Sequence, residues 1–226
     1  FKPSTGANTT DLIRLGNPDL KWEYSNELNI GIEGRFLNNR LSGEVNYFRE
    51  LRKNKIGINS AKYATIGGNF IPSENIGEVL NQGIDACVNW NDKVGEDFTY
   101  NLGLNITFTK NKLRKTNELS NIEDYRKSIG QPTSAIFGWQ SQGLFGKDVA
   151  IAGHPFQSFG NYQVGDIAYA DLNNDGMVDN NDQTRIGQSF PKTTLGVDVT
   201  LNYKGFGLYI LGTATTGVTQ MLTSTY

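Results

Sequence analysis

Cysteine and histidine are almost missing from this chain of 226 residues, which contains one of each, Cys87 and His154. A single cysteine excludes a disulfide bond within the chain. His154 precedes Pro155 in a loop-like segment, and no frame of serine, histidine and carboxylate surrounds it. The sequence therefore predicts that the protein is not an enzyme.

Long apolar runs and one-sided charge are missing too. No stretch of about 18 apolar residues occurs, which excludes a transmembrane helix but not a transmembrane β-barrel, whose strands are apolar on one face only. The 21 basic and 23 acidic residues nearly cancel. Because no basic stripe is present, nucleic acid is not an expected partner.

Glycine and aromatic residues are abundant, with 26 glycines, 12 phenylalanines and 10 tyrosines. This composition favours β-strands joined by turns. Apolar and polar residues alternate with a period of two in six segments, each long enough to cross a bilayer as a tilted strand of roughly 9–11 residues. The predicted strands lie near 26–36, 40–50, 76–91, 97–110, 194–203 and 205–214.

The connections between these strands alternate between short turns, at 37–39, 92–96 and 204–205, and long loops near 51–75 and 111–193. Short turns at one end and long loops at the other are typical of an outer-membrane barrel. Large aromatic residues flank the short turns and predict an interfacial girdle there. They are Phe36, Trp90, Phe98, Tyr203 and Phe206.

On such a barrel the apolar residues of each strand would face lipid, and the alternate residues would line a wet lumen. In a soluble β-sandwich the same polar face would meet solvent, so the alternation alone leaves both architectures open. The residues predicted to line the lumen are Glu27, Asn29, Glu33, Glu44, Asn46, Asp85, Asn101, Asn105, Asp198 and Asn202.

A calcium-loop spacing occurs inside the second long loop, between residues 171 and 182. Oxygen-bearing side chains occupy positions 1, 3, 5, 9 and 12, and Gly176 at position 6 permits a sharp turn. The predicted ligands of Ca²⁺, with Mg²⁺ as an alternative, are Asp171, Asn173, Asp175, Met177 through its carbonyl, Asp179 and Asp182. The metal-free alternative is an Asn/Asp/Gly-rich turn held by its own hydrogen bonds.

Several motifs along the chain resemble one family. In order they are LGNPDLKWE (15–23), IGEVLNQGI (76–84), IGQP (129–132), FGWQSQGLF (137–145), GDIAYADLNNDG (165–176) and IGQSFP (186–191). In this order they resemble the C-terminal half of SusC/RagA-like TonB-dependent outer-membrane transporters.

The resemblance implies an all-β fold, part of a large antiparallel transmembrane barrel of 22 strands in the outer membrane of a Gram-negative bacterium. It implies active import of oligosaccharides or peptides with a SusD-like surface lipoprotein, driven by the TonB complex through a plug domain. We expect residues 1–226 to be a portion of the barrel domain, with the plug and the final strands outside it. The alternative function is a soluble or surface-attached β-sandwich that binds glycans and carries a calcium-ordered loop.

Four aromatic residues of the second long loop, Phe137, Trp139, Tyr162 and Tyr169, are candidates for stacking on cargo. Their alternative use is to pack the loop against itself or against a partner.

Overall fold

The computed structural model describes residues 16–59, 71–119 and 121–221. Six long strands form one antiparallel sheet in the chain order of the strands. They are β1 (Tyr24–Phe36), β2 (Leu41–Ile58), β3 (Ser73–Val94), β4 (Phe98–Lys115), β11 (Thr193–Tyr203) and β12 (Phe206–Thr216). Between β4 and β11 the described residues form six short strands and two single-turn 3₁₀ helices. In the described ranges no helix has the length and apolarity needed to span a membrane.

Three of the long strands extend by three residues or more into the predicted long loops. β2 runs to Ile58, β3 begins at Ser73 and β4 runs to Lys115. The loops predicted at 51–75 and 111–193 are therefore shorter than expected, and residues 60–70 of the first lie outside the described residues. The physical reason is that apolar alternation marks only the lipid-facing length of a strand, whereas a sheet that continues into water needs no apolar face.

The pairing register places the predicted lumen residues on one face of the sheet. Glu33 lies opposite Glu44, which lies opposite Cys87, and the same row continues through Asn105 and Gly196. A neighbouring row on this face joins Asn46 to Asp85. The other face carries apolar rows such as Ile32, Val45, Ala86, Ile106, Leu195 and Ala214.

The apolar face has the dimensions of a membrane-spanning wall. Ile32 is 76% exposed and Leu208 54% exposed, so the described part of the chain leaves much of these side chains uncovered. From Thr193 to Tyr203, β11 spans about 34 Å at roughly 3.4 Å per residue. At a tilt of about 40° this is roughly 26 Å along the membrane normal, close to the apolar band of an outer-membrane barrel.

The aromatic residues near the short turns lie in two rows on this apolar face. Phe98 pairs with Tyr203, and Tyr203 pairs with Phe206. Leu41 lies between Phe36 and Trp90 in the second row. The two-residue turn between β11 and β12 has positive φ at both Lys204 and Gly205, which is the backbone of a type I′ hairpin.

The first and last strands of the sheet, β1 and β12, are its edges. An edge strand carries a row of backbone N–H and C=O groups, and lipid offers no partner to satisfy them. Both edges therefore require neighbouring strands when the sheet lies in a membrane.

Residues 116–119 and 121–192 form a unit, here called the outer excursion, at the end of the sheet opposite the short turns. Its short strands are β5 (Ala135–Trp139), β6 (Ser141–Leu144), β7 (Phe156–Gln157), β8 (Ile167–Tyr169), β9 (Met177–Val178) and β10 (Gln183–Gln188). β5 pairs with β10, β6 with β8, and β7 with β9. Phe145, Ala168 and Val178 are fully buried, so the excursion has a small apolar core of its own.

We predict that Gly83 of β3 does not accept a side chain. A Cβ at Gly83 would collide with the carbonyl oxygen of Phe108 and with the ring of Phe48. Gly83→Ala should destabilise the full-length protein by about 1–3 kcal/mol, as overpacking does. The temperature at which the detergent-solubilised protein loses its folded mobility on a gel measures this effect.

Gly43→Ala is the matched control, because the nearest atom to a Cβ at Gly43 is the carbonyl oxygen of Cys87, 3.6 Å away. Equal unfolding temperatures for the two variants would contradict the close packing at Gly83.

Candidate functional site

The predicted calcium loop is held by side-chain acceptors that fold back onto its own backbone. Asp171 accepts hydrogen bonds from the N–H groups of Asn174 (2.7 Å) and Gly176 (2.9 Å). Asn173 accepts from the N–H of Asp175 at 3.0 Å, and Asp175 accepts from the N–H of Met177 at 2.9 Å. These bonds curl the chain so that successive acceptor side chains lie on the inside of the turn.

Asp182 closes the loop from a fully buried position. One of its oxygens accepts from the N–H groups of Leu172 (2.7 Å) and Asn173 (3.3 Å), and the other accepts from the N–H of Asp179 at 2.8 Å. The Asp179 side chain accepts in return from the N–H of Asn181 at 2.6 Å. Burying a carboxylate costs free energy because its hydration is lost, and the charge-assisted hydrogen bonds to Asp182 offset this cost.

Side-chain hydrogen bonds add to the pairing of β7 with β9 in fixing this loop to the rest of the excursion. The indole N–H of Trp139 donates to the carbonyl of Asp179 at 2.7 Å. The hydroxyl of Tyr125 donates to the carbonyl of Asn181 at 2.8 Å, and Arg126 donates to the Asn181 side chain at 2.9 Å. Burial raises the pKa of the Tyr125 hydroxyl, as do the nearby carboxylates of Glu123 and Asp182, so this donor keeps its proton.

The atoms of the loop that could bind a metal are oxygens, which are the ligands that hard divalent cations prefer. Carboxylate oxygens that accept one N–H keep a further lone pair. Within residues 16–59, 71–119 and 121–221, however, no three side chains of His, Cys, Asp or Glu converge as a metal-ligand group. The observed hydrogen bonds suit the metal-free turn equally well, so the cation stays a prediction.

Three of the four candidate cargo aromatics fall into two clusters inside the excursion. Trp139 lies with its ring centroid 4.8 Å from that of Phe159 and 6.1 Å from that of Tyr169. Tyr162 stacks at 4.9 Å on the buried ring of Phe145. These contacts show the aromatics packing the excursion against itself, and whether they also touch cargo stays a prediction.

His154 and Phe137 take no part in the loop itself. The rings of His154 and Phe145 meet edge to face with their centroids 4.8 Å apart, and the buried Nε2 of His154 has no hydrogen-bond partner among the described residues. Phe137 lies on β5 opposite Arg185 of β10.

A row of hydrogen bonds that sequence reasoning missed ties the excursion to the lumen face of the sheet. Glu50 on β2 accepts from the side chain of Asn81 on β3 at 3.2 Å, and Asn111 on β4 donates to Asn81. Asn111 accepts in turn from the N–H (2.7 Å) and the hydroxyl (2.9 Å) of Thr133 in the excursion. Glu50 and Asn81 already lie within the predicted strands 40–50 and 76–91, and Asn111 lies one residue past the predicted strand 97–110. The signal for this row was the lumen-side alternation of these strands.

Backbone contacts reinforce this junction. The N–H of Leu113 donates to the carbonyl of Gln131, and the N–H of Gly130 donates to the carbonyl of Leu113, both at 2.8 Å. The excursion therefore continues the hydrogen bonding of β4 and holds a fixed position over the lumen face.

An antiparallel sheet with an apolar outer face, a polar inner face, short turns at one end and an ordered excursion at the other defines a segment of transmembrane β-barrel wall. Residues 1–219 match the family model described as "TonB dependent receptor-like, beta-barrel". The chain belongs to this family of receptors and transporters, which places it in the outer membrane of a Gram-negative bacterium. The β-sandwich alternative is therefore wrong.

Similar proteins include two curated TonB-dependent receptors. TonB-dependent receptor P3 of Formosa agariphila is 24% identical over 223 residues, covering 93% of this chain and 22% of the relative. TonB-dependent receptor SusC of Bacteroides thetaiotaomicron is 28% identical over 208 residues, covering 88% of this chain and 20% of the relative. The chain thus spans about a fifth of the length of the curated relatives it matches.

The fold is also similar to solved structures of the RagAB peptide importer. Its open-open state superimposes with a TM-score of 0.67 at 20% identity, covering 89% of this chain and 21% of that chain. The closed-closed state gives a TM-score of 0.66 at the same identity. This likeness shows the fold of the barrel wall.

We predict that the full-length protein with Asp171→Ala and Asp175→Ala loses a bound Ca²⁺ ion. Mass-spectrometric metal content after purification in calcium buffer measures this loss. The same double variant also removes acceptors of four backbone and side-chain hydrogen bonds, so protease sensitivity of the loop should rise whether or not an ion is bound. Metal content is therefore the deciding measurement.

Glu123→Ala with Asp124→Ala is the control, because it removes two carboxylates from the excursion outside the loop. If the metal content of both double variants equals that of the unmodified protein, the loop is an ordinary polar turn.

Proposed function

We propose that the protein containing this chain is an outer-membrane, TonB-dependent active importer of large nutrients, either oligosaccharides or peptides. The observation that carries this proposal is the row of polar and acidic side chains on the inner face of the sheet. Glu33, Glu44, Asp85 and Asp198 lie on that face in a membrane-spanning segment. Carboxylates at membrane depth are tolerated where they line a water-filled space, because burial without water or partners is costly.

The ordered excursion supports the import of large cargo. Its own apolar core and its hydrogen bonds to Asn111 keep it over the outer end of this wall. A fixed structure at that place provides a surface that cargo meets before entering the lumen. Peptide import is the activity named for the RagAB structures, and SusC is named as a TonB-dependent receptor.

A SusD-like surface lipoprotein is the proposed partner on the outer side, and the TonB complex is the proposed partner on the inner side, through a plug domain. Large aromatic and aliphatic side chains remain exposed on the excursion, among them Phe156 at 58% and Val164 at 69%. Exposed apolar surface outside the membrane is typical of protein contacts. The calcium-binding loop, if occupied, would have a structural role in this surface.

Deletion of the full-length gene in its host tests the proposal. Growth on oligosaccharides and on peptides, each as sole carbon source, should show a defect on at least one of the two, and growth on the corresponding monomers should be normal. The physical reason is that monomers cross smaller pores, whereas oligomers need the energised route. Complementation with the unmodified gene should restore growth, and complementation with a version that cannot contact TonB should not.

Two results would contradict the proposal. One is unchanged growth of the deletion strain on every oligomer tested. The other is a full-length protein that stays monodisperse and monomeric without detergent, because an apolar face such as Ile32 and Leu208 would then have no lipid to meet.

A further inference from the structure

A cleft of about 660 Å³ lies where the outer excursion meets the lumen face of β2, β3 and β4. The sheet contributes Phe48, Glu50, Asn81 and Asn111 to its lining, and the excursion contributes Arg185, Gln188 and Phe190. Neither the calcium-type loop nor the aromatic clusters belong to it. Its position places it on the inner side of the barrel wall, above the membrane-spanning rows.

The carboxylate of the cleft is already neutralised. Glu50 accepts from Arg52 at 2.5 Å as an ion pair, from Asn81 at 3.2 Å and from Ser25 at 2.9 Å. Its charge is therefore balanced, and its oxygens are engaged by donors of the wall.

The guanidinium of Arg185, in contrast, has no carboxylate partner among the described residues. It donates to the side chains of Gln131 (3.0 Å) and Gln188 (2.8 Å) and to the carbonyl of Gly187 (3.5 Å), which are neutral acceptors. Among the ion pairs of the described residues, none involves Arg185 or its neighbour in the lining, Lys192. The cleft therefore holds positive charge that no carboxylate of the described chain balances.

Arg185 is also held in place. Gln188 is 6% exposed and donates to the carbonyl of Phe190 at 2.8 Å, so the acceptor that fixes one terminal nitrogen of Arg185 is itself fixed. A guanidinium has five N–H groups, and its three contacts leave one N–H on each terminal nitrogen. A fixed guanidinium with free donors is well suited to a carboxylate or sulfate oxygen.

The charged residues of the lumen face make the cleft the favourable place for an anion on this part of the wall. Lower on the same face the charged residues are mainly Glu33, Glu44, Asp85 and Asp198. These carboxylates repel an anion, whereas the cleft attracts it. Phe190, which is 68% exposed, adds a flat apolar surface beside the charge.

We propose that this cleft binds an oxyanion group, carboxylate or sulfate, of an oligomeric cargo and that Arg185 makes the contact. The proposal rests on the proposed importer function and extends it by naming a property of the cargo, its negative charge. Asn81 and Asn111 shape the wall beside the anion.

The test measures binding to the purified full-length protein by calorimetry with three charged probes and their neutral matches. The probes are trigalacturonate with its methyl ester, triglutamate with triglutamine, and a sulfated trisaccharide with its unsulfated form. At least one charged probe should bind ten times more tightly than its match, which corresponds to about 1.4 kcal/mol. The three pairs separate uronate, acidic peptide and sulfate as the source of the anion.

Arg185→Gln should abolish this preference, and Arg185→Lys should keep part of it. Arg114→Gln is the matched control, because Arg114 pairs with Glu78 at 3.3 Å outside the cleft. Lys192→Gln, a change on the exposed rim, should weaken the preference even if Arg185→Gln proves unstable.

Equal binding of every charged probe and its match, or absence of binding by all charged probes, would overturn the proposal. So would a preference unchanged in a folded Arg185→Gln or, where that variant does not fold, unchanged in Lys192→Gln. If gene deletion still abolishes oligomer uptake in that case, the importer function stands and only the anion site fails. If uptake does not depend on the gene, the importer function fails whatever the probes show.

Discussion

The structure depends on one constraint, a strand whose two faces meet different solvents. Period-two alternation gives each strand an apolar and a polar face, and the register keeps these faces aligned across six strands. A one-residue slip between β4 and β11 would bring Asp198 level with Leu102 or Leu104 and turn its carboxylate towards lipid. Placing an aspartate at the centre of the hydrocarbon costs about 2.5–3.5 kcal/mol, so this carboxylate opposes a slip of the register.

Above the membrane the same sheet is governed by different forces. There the strands continue in water, and polar side chains link them, as in the row from Glu50 through Asn81 to Asn111. Thr133 attaches the excursion to the end of this row. The wall therefore determines where the excursion lies, although the excursion has a small core of its own. The excursion, the cleft beneath it and the loop around Asp182 are consequences of how that wall ends.

The sequence was informative where one local rule decides the structure. Alternation predicts the strand faces, and Lys204-Gly205 predicts a tight hairpin turn. Spacing also predicts the turn of residues 171–182, although it does not distinguish a cation from backbone N–H groups as the partner of Asp171. The continuation of β2 to Ile58 and the position of Arg185 beside Gln131 could not be predicted, because both depend on contacts between residues that are distant in the sequence. Ile58 pairs with Ser73, and Arg185 donates to the side chain of Gln131.

The central claim, that one face of the sheet meets lipid and the other water, is tested most directly on β11. In full-length protein carrying Cys87→Ser, a fluorophore is attached after either Val197→Cys or Asp198→Cys, and the labelled protein is placed in lipid vesicles. The account predicts that a lipid-borne quencher dims the label at 197 and aqueous iodide dims the label at 198. Both labels responding to the same quencher, or the reverse pattern, would contradict it.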